Sequence, residues 1–330
     1  MNATHFVYGF RVVDGRDRER RLVDWQKAFT AHLGDDERAE NGREVYLSAF
    51  QFDADFRDHL NATGSTRDFR GPTWSNWIWF DIDRTEEGRP LPEVVARALA
   101  DTVDLAAFIG QRWGSHPDAL GMLTFFSGSK GFHLGIPTSL WQPDPSGDFH
   151  VIARHFAERL ANAAGVVIDT GIYDRVRLLR APNSRHPKTG LHKRGLGAEE
   201  LFQITADGVL DAARYPQDVL IPQPMPHCSG AADDWQAATI DAGQSVRSLQ
   251  TVRQSARLNA ATLTFIRSGA DTGDRHRMLY SAARNLAECA CPAELAHALL
   301  TPAARDAGLA PADIRRQIEC GIRDGGPHHA

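Results

Sequence analysis

The chain has 330 residues, enough for two domains or one large one with a buried core. Its 42% hydrophobic and 24% charged residues suit an ordinary globular protein; no apolar run reaches membrane-spanning length, and the start lacks a signal-peptide layout. A formal charge of −5 excludes a globally basic nucleic-acid binder, and four cysteines in so long a chain point to the reduced thiols of the cytoplasm.

Residues 5–13 have strand character, and 20–34 read as a helix closed by Gly34. Residues 45–53 alternate as a strand does. The stretch WSNWIWFDID (residues 74–83) is an aromatic, β-branched run that ends on Asp81 and Asp83. Side chains at i and i+2 leave the same face of a strand, about 7 Å apart at their Cα atoms. Two carboxylates placed this way repel unless something positive, most simply a divalent cation, lies between them. The alternative is a solvated acidic turn where the strand ends.

Residues 91–114 form a long helical pattern, and 119–128 and 131–137 read as paired strands joined by SGSKG. Residues 148–165 form a helix ending at Gly165, and 166–182 return to strand character. These elements predict an α/β or α+β domain over residues 1–225, with a central sheet whose strand order the sequence does not give. Residues 206–258 form a Pro-, Gly- and Ser-rich connection, within which 226–258 is expected to be the linker. From residue 259 to 325 the pattern is purely helical, with Pro292 and Pro311 in first-turn positions and Gly308 at a helix end. A small all-helical domain is expected there.

Chemistry concentrates at three places. The first is Asp81 and Asp83. The second is the loop around Lys130, where glycines allow backbone amides to approach a phosphate while Ser127, Ser129, Lys130 and His133 offer donors. An ordinary Gly-Ser hairpin is the alternative, and no Walker A sequence occurs. The third is Asp169, followed by residues 175–194, which hold seven Lys/Arg and two His without an acidic residue. Such a strip on a mildly acidic chain reads as a phosphate site or, failing that, a solvated basic face.

The order of these pieces (FDID, then SGSKGFH, then IDTG and RLLRAPNSRHPKTG) resembles the archaeo-eukaryotic primase superfamily. That superfamily is read from a paired acid, a serine-containing loop ending in histidine, and a late single aspartate. The resemblance covers roughly residues 5–205 and implies an α+β catalytic domain with a central mixed β-sheet and flanking helices. The helical tail is similar, more weakly, to the C-terminal helical domain fused to prokaryotic primase-polymerases. The resemblance implies a template-dependent nucleotidyltransferase, a DNA primase or primer-extending polymerase, using two divalent ions, Mg²⁺ or Mn²⁺. Asp81, Asp83 and Asp169 would be the catalytic metal ligands, with Asp174 a rival for the third place. Ser127, Ser129, Lys130 and His133 would hold the triphosphate, and Arg180, Ser184 and His186 would complete the nucleotide site. Lys188 and Arg194 would touch template or primer backbone.

The partners implied are single-stranded DNA template and primer, NTPs or dNTPs, and separately encoded helicase, replication or defence proteins; no membrane is implied. Cys289 and Cys291 lie two apart in a helical pattern, about 200° around the axis, so a zinc site or iron–sulfur cluster is not expected. Two rival classes remain. One is a metal-dependent nuclease or replication initiator acting on existing DNA. The other is a non-catalytic DNA-binding module of a replication or defence complex.

Overall fold

The structure, a computed structural model, describes residues 3–14, 19–84, 88–254, 258–289 and 291–325. It falls into two compact units divided between Ala242 and Gly243. In the first unit the strands are β1 (Tyr8–Val13), β2 (Arg21–Asp24), β3 (Val45–Ser48), β4 (Trp77–Asp83), β5 (Leu123–Phe126), β6 (Gly131–Pro137), β7 (Leu178–Arg180) and β8 (Arg194–Leu196). Its helices are α1 (Trp25–Leu33), α2 (Ala54–Thr63), α3 (Leu91–Arg112), α4 (Phe149–Ala164), α5 (Ala198–Gln203), α6 (Ala206–Ala212) and the start of α7 (Ser229–Gln254).

The expected central mixed sheet is instead a pair of four-stranded sheets, ordered β2-β1-β3-β7 and β4-β6-β5-β8. Every described strand pair is antiparallel. For β5 and β6 the reason is local: a turn that short can only reverse the chain, whereas a parallel partner needs a long crossover. The helix read over residues 20–34 is in fact β2 followed by α1. Residues 21–24 pair with β1, and the Asp24 carboxylate then accepts the Lys27 N–H at 3.0 Å to start the helix. Strand character after residue 166 survives only in β7, because Asp169 caps a 3₁₀ turn over Thr170–Tyr173.

One continuous apolar core runs through both sheets. On β4 the even positions Ile78, Phe80 and Ile82 are fully packed, and the odd positions carry Trp77, Trp79, Asp81 and Asp83 on the other face. That alternation brings the two acids to one end of a strand whose other end is anchored by tryptophans.

The segment expected to be an irregular linker is largely α7. Its first half belongs to the core of the first unit: Ala231 and Ala238 are buried, and Trp235 packs its ring 5.5 Å from Phe156 and 5.6 Å from Trp141. Asp234 is buried because it accepts two bonds from the Arg112 guanidinium, at 2.6 and 2.7 Å, and one from the Trp113 indole at 2.8 Å. The Pro-rich composition ends before this helix, so the unit boundary lies later than residue 225.

The second unit contains α8 (Ala260–Ser268), α9 (Arg275–Glu288), α10 (Ala293–Asp306) and α11 (Pro311–Gly325). Phe265, Leu279, Leu286, Leu300, Ile314 and Ile318 form its core. α11 approaches α9 closely at Gly321, where a Cβ would sit 2.6 Å from the Tyr280 carbonyl oxygen. No described helix is long and apolar enough to cross a membrane.

Candidate active site

β4 and β6 pair in a register that sets Asp81 opposite His133 and Asp83 opposite Gly131. The turn Ser127–Lys130 then folds back over the acidic end of β4. Gly131 is required there, since a Cβ would collide with the Asp83 carboxylate and the Ile82 carbonyl. Lys130 places its ammonium 3.4 Å from Asp83. Ser127 accepts the Gly131 N–H at 3.3 Å, which holds the turn shut. Gly128 has φ +83°, a conformation glycine adopts without strain. The second basic loop docks here, with Thr189 donating to the Gly128 carbonyl at 2.5 Å.

Asp169 arrives from elsewhere in the chain. Its N–H donates to the Asp81 carbonyl at 2.8 Å, so it runs beside β4, and its carboxylate accepts the Gly171 N–H at 2.8 Å. Tyr173, in the same turn, donates to the Trp79 carbonyl at 2.6 Å and pins the segment to β4. Asp174 is turned away from the acids: it lines a neighbouring cavity with Arg20 and Val176. Of the two rivals for the third acid, Asp169 is the one whose charge acts on both Asp81 and Asp83.

The electrostatics are those of a crowded acidic face. Burial, followed by repulsion from Asp83 and Asp169, pushes the Asp81 carboxyl up to about 7. Asp83 is also raised, chiefly by burial, with Lys130 opposing. His133 lies with Nε2 3.5 Å from Asp81 Oδ1, but burial and the nearby Lys193 and Arg180 hold its pKa well below the usual range. The ring is therefore neutral, and the contact is not a salt bridge. Asp81 Oδ1 and His133 Nδ1 are both buried without a hydrogen-bond partner.

The cleft itself has a volume of about 240 Å³ and gathers Asp81, Asp83, Ser127, Ser129, Lys130, His133, Arg180 and His186. Arg180 is held by Glu44 at 3.2 Å and by the Tyr46 hydroxyl at 2.9 Å, with its guanidinium 4.9 Å from the centre of the Tyr46 ring. His186 Nδ1 accepts the Lys188 and Thr189 N–H groups, both at 3.3 Å. Its proton therefore sits on Nε2, and burial beside Arg180 lowers its pKa.

Four expected site residues are not among those lining the cleft: Asp169, which runs beside β4, the exposed Lys188, Ser184 and Arg194. Ser184 is fully buried and donates to the carbonyls of Ala181 at 2.8 Å and Val45 at 3.1 Å, a structural role that ties β3 to the following loop. Arg194 lies inside β8, its side chain 8% exposed and 3.7 Å from Glu200, so it offers no surface to a nucleic-acid backbone. Lys188 is exposed, as a backbone contact would require.

Lys193, unmarked in the sequence, is the buried cation of the site. Its Nζ donates to the Arg180 carbonyl at 2.8 Å and lies 4.9 Å and 5.4 Å from the ring centres of Phe125 and Trp79. Burial, together with Arg180, lowers its pKa to about 7, while Asp81 pulls the other way. A lysine two residues before a glycine strand position carries no local signal of burial. Arg177 and Tyr46 also line the cleft and likewise went unmarked.

Among the described residues, no group of three or more His, Cys, Asp or Glu is gathered tightly enough to hold a metal ion. The donors nonetheless fit a hard divalent cation. They are carboxylate oxygens that repel one another, one of them buried and unpartnered. Mg²⁺ commonly binds through one or two carboxylates, with water and substrate phosphates filling its other positions, and such a site needs no closed protein cage. Cys228 is buried in the first unit, whereas Cys289, Cys291 and Cys320 are partly exposed in the second.

No family model matches the chain, and no curated protein matches it in sequence. A solved structure described as the crystal structure of primase RepB′ is similar over 97% of this chain and 91% of its own, at 14% identity and a TM-score of 0.34. A likeness at that level fixes neither family nor function.

Proposed function

We propose that the first unit is a template-dependent nucleotidyltransferase, a DNA primase or primer-extending DNA polymerase. One observation carries the reading: Asp81 and Asp83 share a strand face, Asp169 is bonded alongside, and a Ser/Lys/His loop enters the same cleft. Acids alone would suit a hydrolase equally well. The addition of Ser127, Ser129, Lys130, Arg180 and His186 within that cleft favours a substrate carrying several phosphates, because each supplies a donor or a positive charge.

In this reading Asp81, Asp83 and Asp169 would hold Mg²⁺ or Mn²⁺. Bound ions of this kind stabilise both the attacking and the leaving oxygen of an in-line displacement. The chain's own groups do the positioning. Lys130, now 3.4 Å from Asp83, would turn to the triphosphate as a cation takes over the carboxylate. Neutral His133 and the Nε2–H of His186 would donate to phosphate oxygens without adding charge. Arg180, fixed by Glu44 and Tyr46, would face the phosphates or sugar in a single orientation. The bond that forms joins the primer 3′ oxygen to the α-phosphorus. The bond that breaks releases pyrophosphate, and the hydroxyl proton leaves to solvent.

Incubation with a labelled primed template, dNTPs and Mn²⁺ tests this. Extension supports the reading. Degradation would make the protein a nuclease, and retardation without chemistry a binding module.

A further inference from the structure

The acid cleft does not stop at Tyr46 and Arg177. Both residues, with Leu178, also line a second cavity of about 500 Å³, whose other walls are Val12, Arg20, Asp174 and Val176. That size falls within the roughly 300–1,000 Å³ typical of small-molecule sites. None of the Ser127–His133 loop lines it, so it lies beyond the part of the cleft assigned to a triphosphate.

Its two guanidiniums lack, among the described residues, the carboxylate partners that several other arginines of this unit have. Arg11, Arg21, Arg43 and Arg180 are each paired with a carboxylate. Among the described residues, Arg20 and Arg177 have no side-chain ion pair or hydrogen bond, and the Arg20 Nε is buried without an acceptor. A buried donor left unsatisfied is costly, which points to an acceptor brought by a ligand. Two arginines set among Val12, Val176, Leu178 and the Tyr46 ring suit an anion attached to an apolar, planar group. Asp174 would repel a phosphate placed against it but can accept from a hydroxyl or an amino group. A nucleotide has all three parts.

Resting on the nucleotidyl-transfer reading, we propose that this cavity seats the nucleotide that supplies the attacking 3′ hydroxyl, with its phosphate on Arg20 and Arg177. That nucleotide is the primer terminus during extension and the first nucleotide when synthesis starts without a primer. Tyr46, Arg177 and Leu178 form a wall common to this cavity and the acid cleft, so a phosphate on Arg20 and Arg177 would leave the 3′ hydroxyl to reach along the Tyr46 and Leu178 side of that wall towards the metal ligands.

The test is anisotropy of a fluorescent primer–template in EDTA, followed by steady-state extension and unprimed dinucleotide synthesis. Arg20→Gln should weaken binding about tenfold, the loss expected for one charge-assisted phosphate contact. It should also lower the slope of log affinity against log salt by about 0.7–0.9. Arg20→Lys should restore the salt slope and part of the affinity. The KM for primer–template should rise while the KM for dNTP moves less than about twofold. Loss in both primed and unprimed reactions assigns the cavity to the strand terminus in general, and loss only in unprimed synthesis assigns it to the first nucleotide. Unchanged binding, or an equal rise in both KM values, overturns the proposal. Should Arg20→Gln melt early, Arg177→Gln at the exposed partner gives the same readout. The EDTA measurement needs no catalysis, so a protein that binds through Arg20 yet never extends would sink the polymerase reading and leave a nucleotide site.

Discussion

Asp81→Asn should make the metal-free protein more stable, and the gain should grow with pH. The Asp81 carboxyl titrates at about 7 in the fold, against 3.8 as its ordinary value. A raised carboxylate pKa means the folded state binds the proton more tightly than the unfolded chain does, so ionisation opposes folding. The penalty is absent below the ordinary value, builds as pH rises, and is complete above about 7. At about 1.4 kcal/mol per pH unit between those values, it reaches an upper bound of about 4 kcal/mol. Of this, about 2.7 kcal/mol accrues between pH 5 and pH 8. For a unit of this size each kcal/mol moves the melting temperature by about 2–4 °C. Differential scanning fluorimetry in EDTA should therefore show the gap between variant and wild type widening by roughly 5–10 °C from pH 5 to pH 8. Mn²⁺ should then raise the wild-type melting temperature at pH 8 and close the gap, because a cation replaces the proton. A gap that is equal at both pH values, or a variant less stable at pH 8, would refute the crowded-acid account.

Three further outcomes follow from the same geometry. Lys193→Met should melt higher than wild type at pH 6, since burial lowers that lysine's pKa from 10.5 to about 7 and its charged form is penalised more as pH falls through that window. The same variant should lose extension activity as the Arg180 carbonyl loses its donor, which a primer-extension assay reads directly. Gly131→Ala should displace Asp83 and weaken Mn²⁺ binding by about tenfold or more in calorimetry, while far-ultraviolet circular dichroism stays unchanged. A chain ending at residue 242 should fold and extend primers but lose unprimed synthesis, if the helical unit serves initiation; one ending at residue 225 should not fold, because it lacks Trp235 and Asp234.

What the sequence revealed and what it hid divide along physical lines. Asp81 and Asp83 were legible because a strand's two-residue period is local and forces both onto one face. The Ser127–Lys130 turn was legible because two glycines and two serines between apolar runs leave little else to form. Lys193 was hidden because its burial is made by Trp79 and Phe125, far away in sequence. Ser184 was expected in the site because the resemblance of its loop implies it; only the position of the Val45 carbonyl shows that its hydroxyl is spent inside the fold. Arg194 misled as well, since nothing local says that β8, at the edge of its sheet, is buried along its whole length. Composition also misplaced the domain boundary: the run of prolines stops at residue 226, but the helix that follows is claimed by Phe156 and Arg112 of earlier elements.

Single-nucleotide addition to a primed template, measured under single turnover with Mn²⁺, tests the central claim most directly. The comparison sets wild type against Asp83→Asn, Asp169→Asn and Asp174→Asn. Losing a carboxylate from the metal-binding face should slow Asp83→Asn and Asp169→Asn by about a thousandfold or more, while Asp174→Asn, whose side chain lines the neighbouring cavity, stays within about tenfold of wild type. Full activity in Asp83→Asn, or a loss in Asp174→Asn as deep as that in Asp169→Asn, would contradict the account.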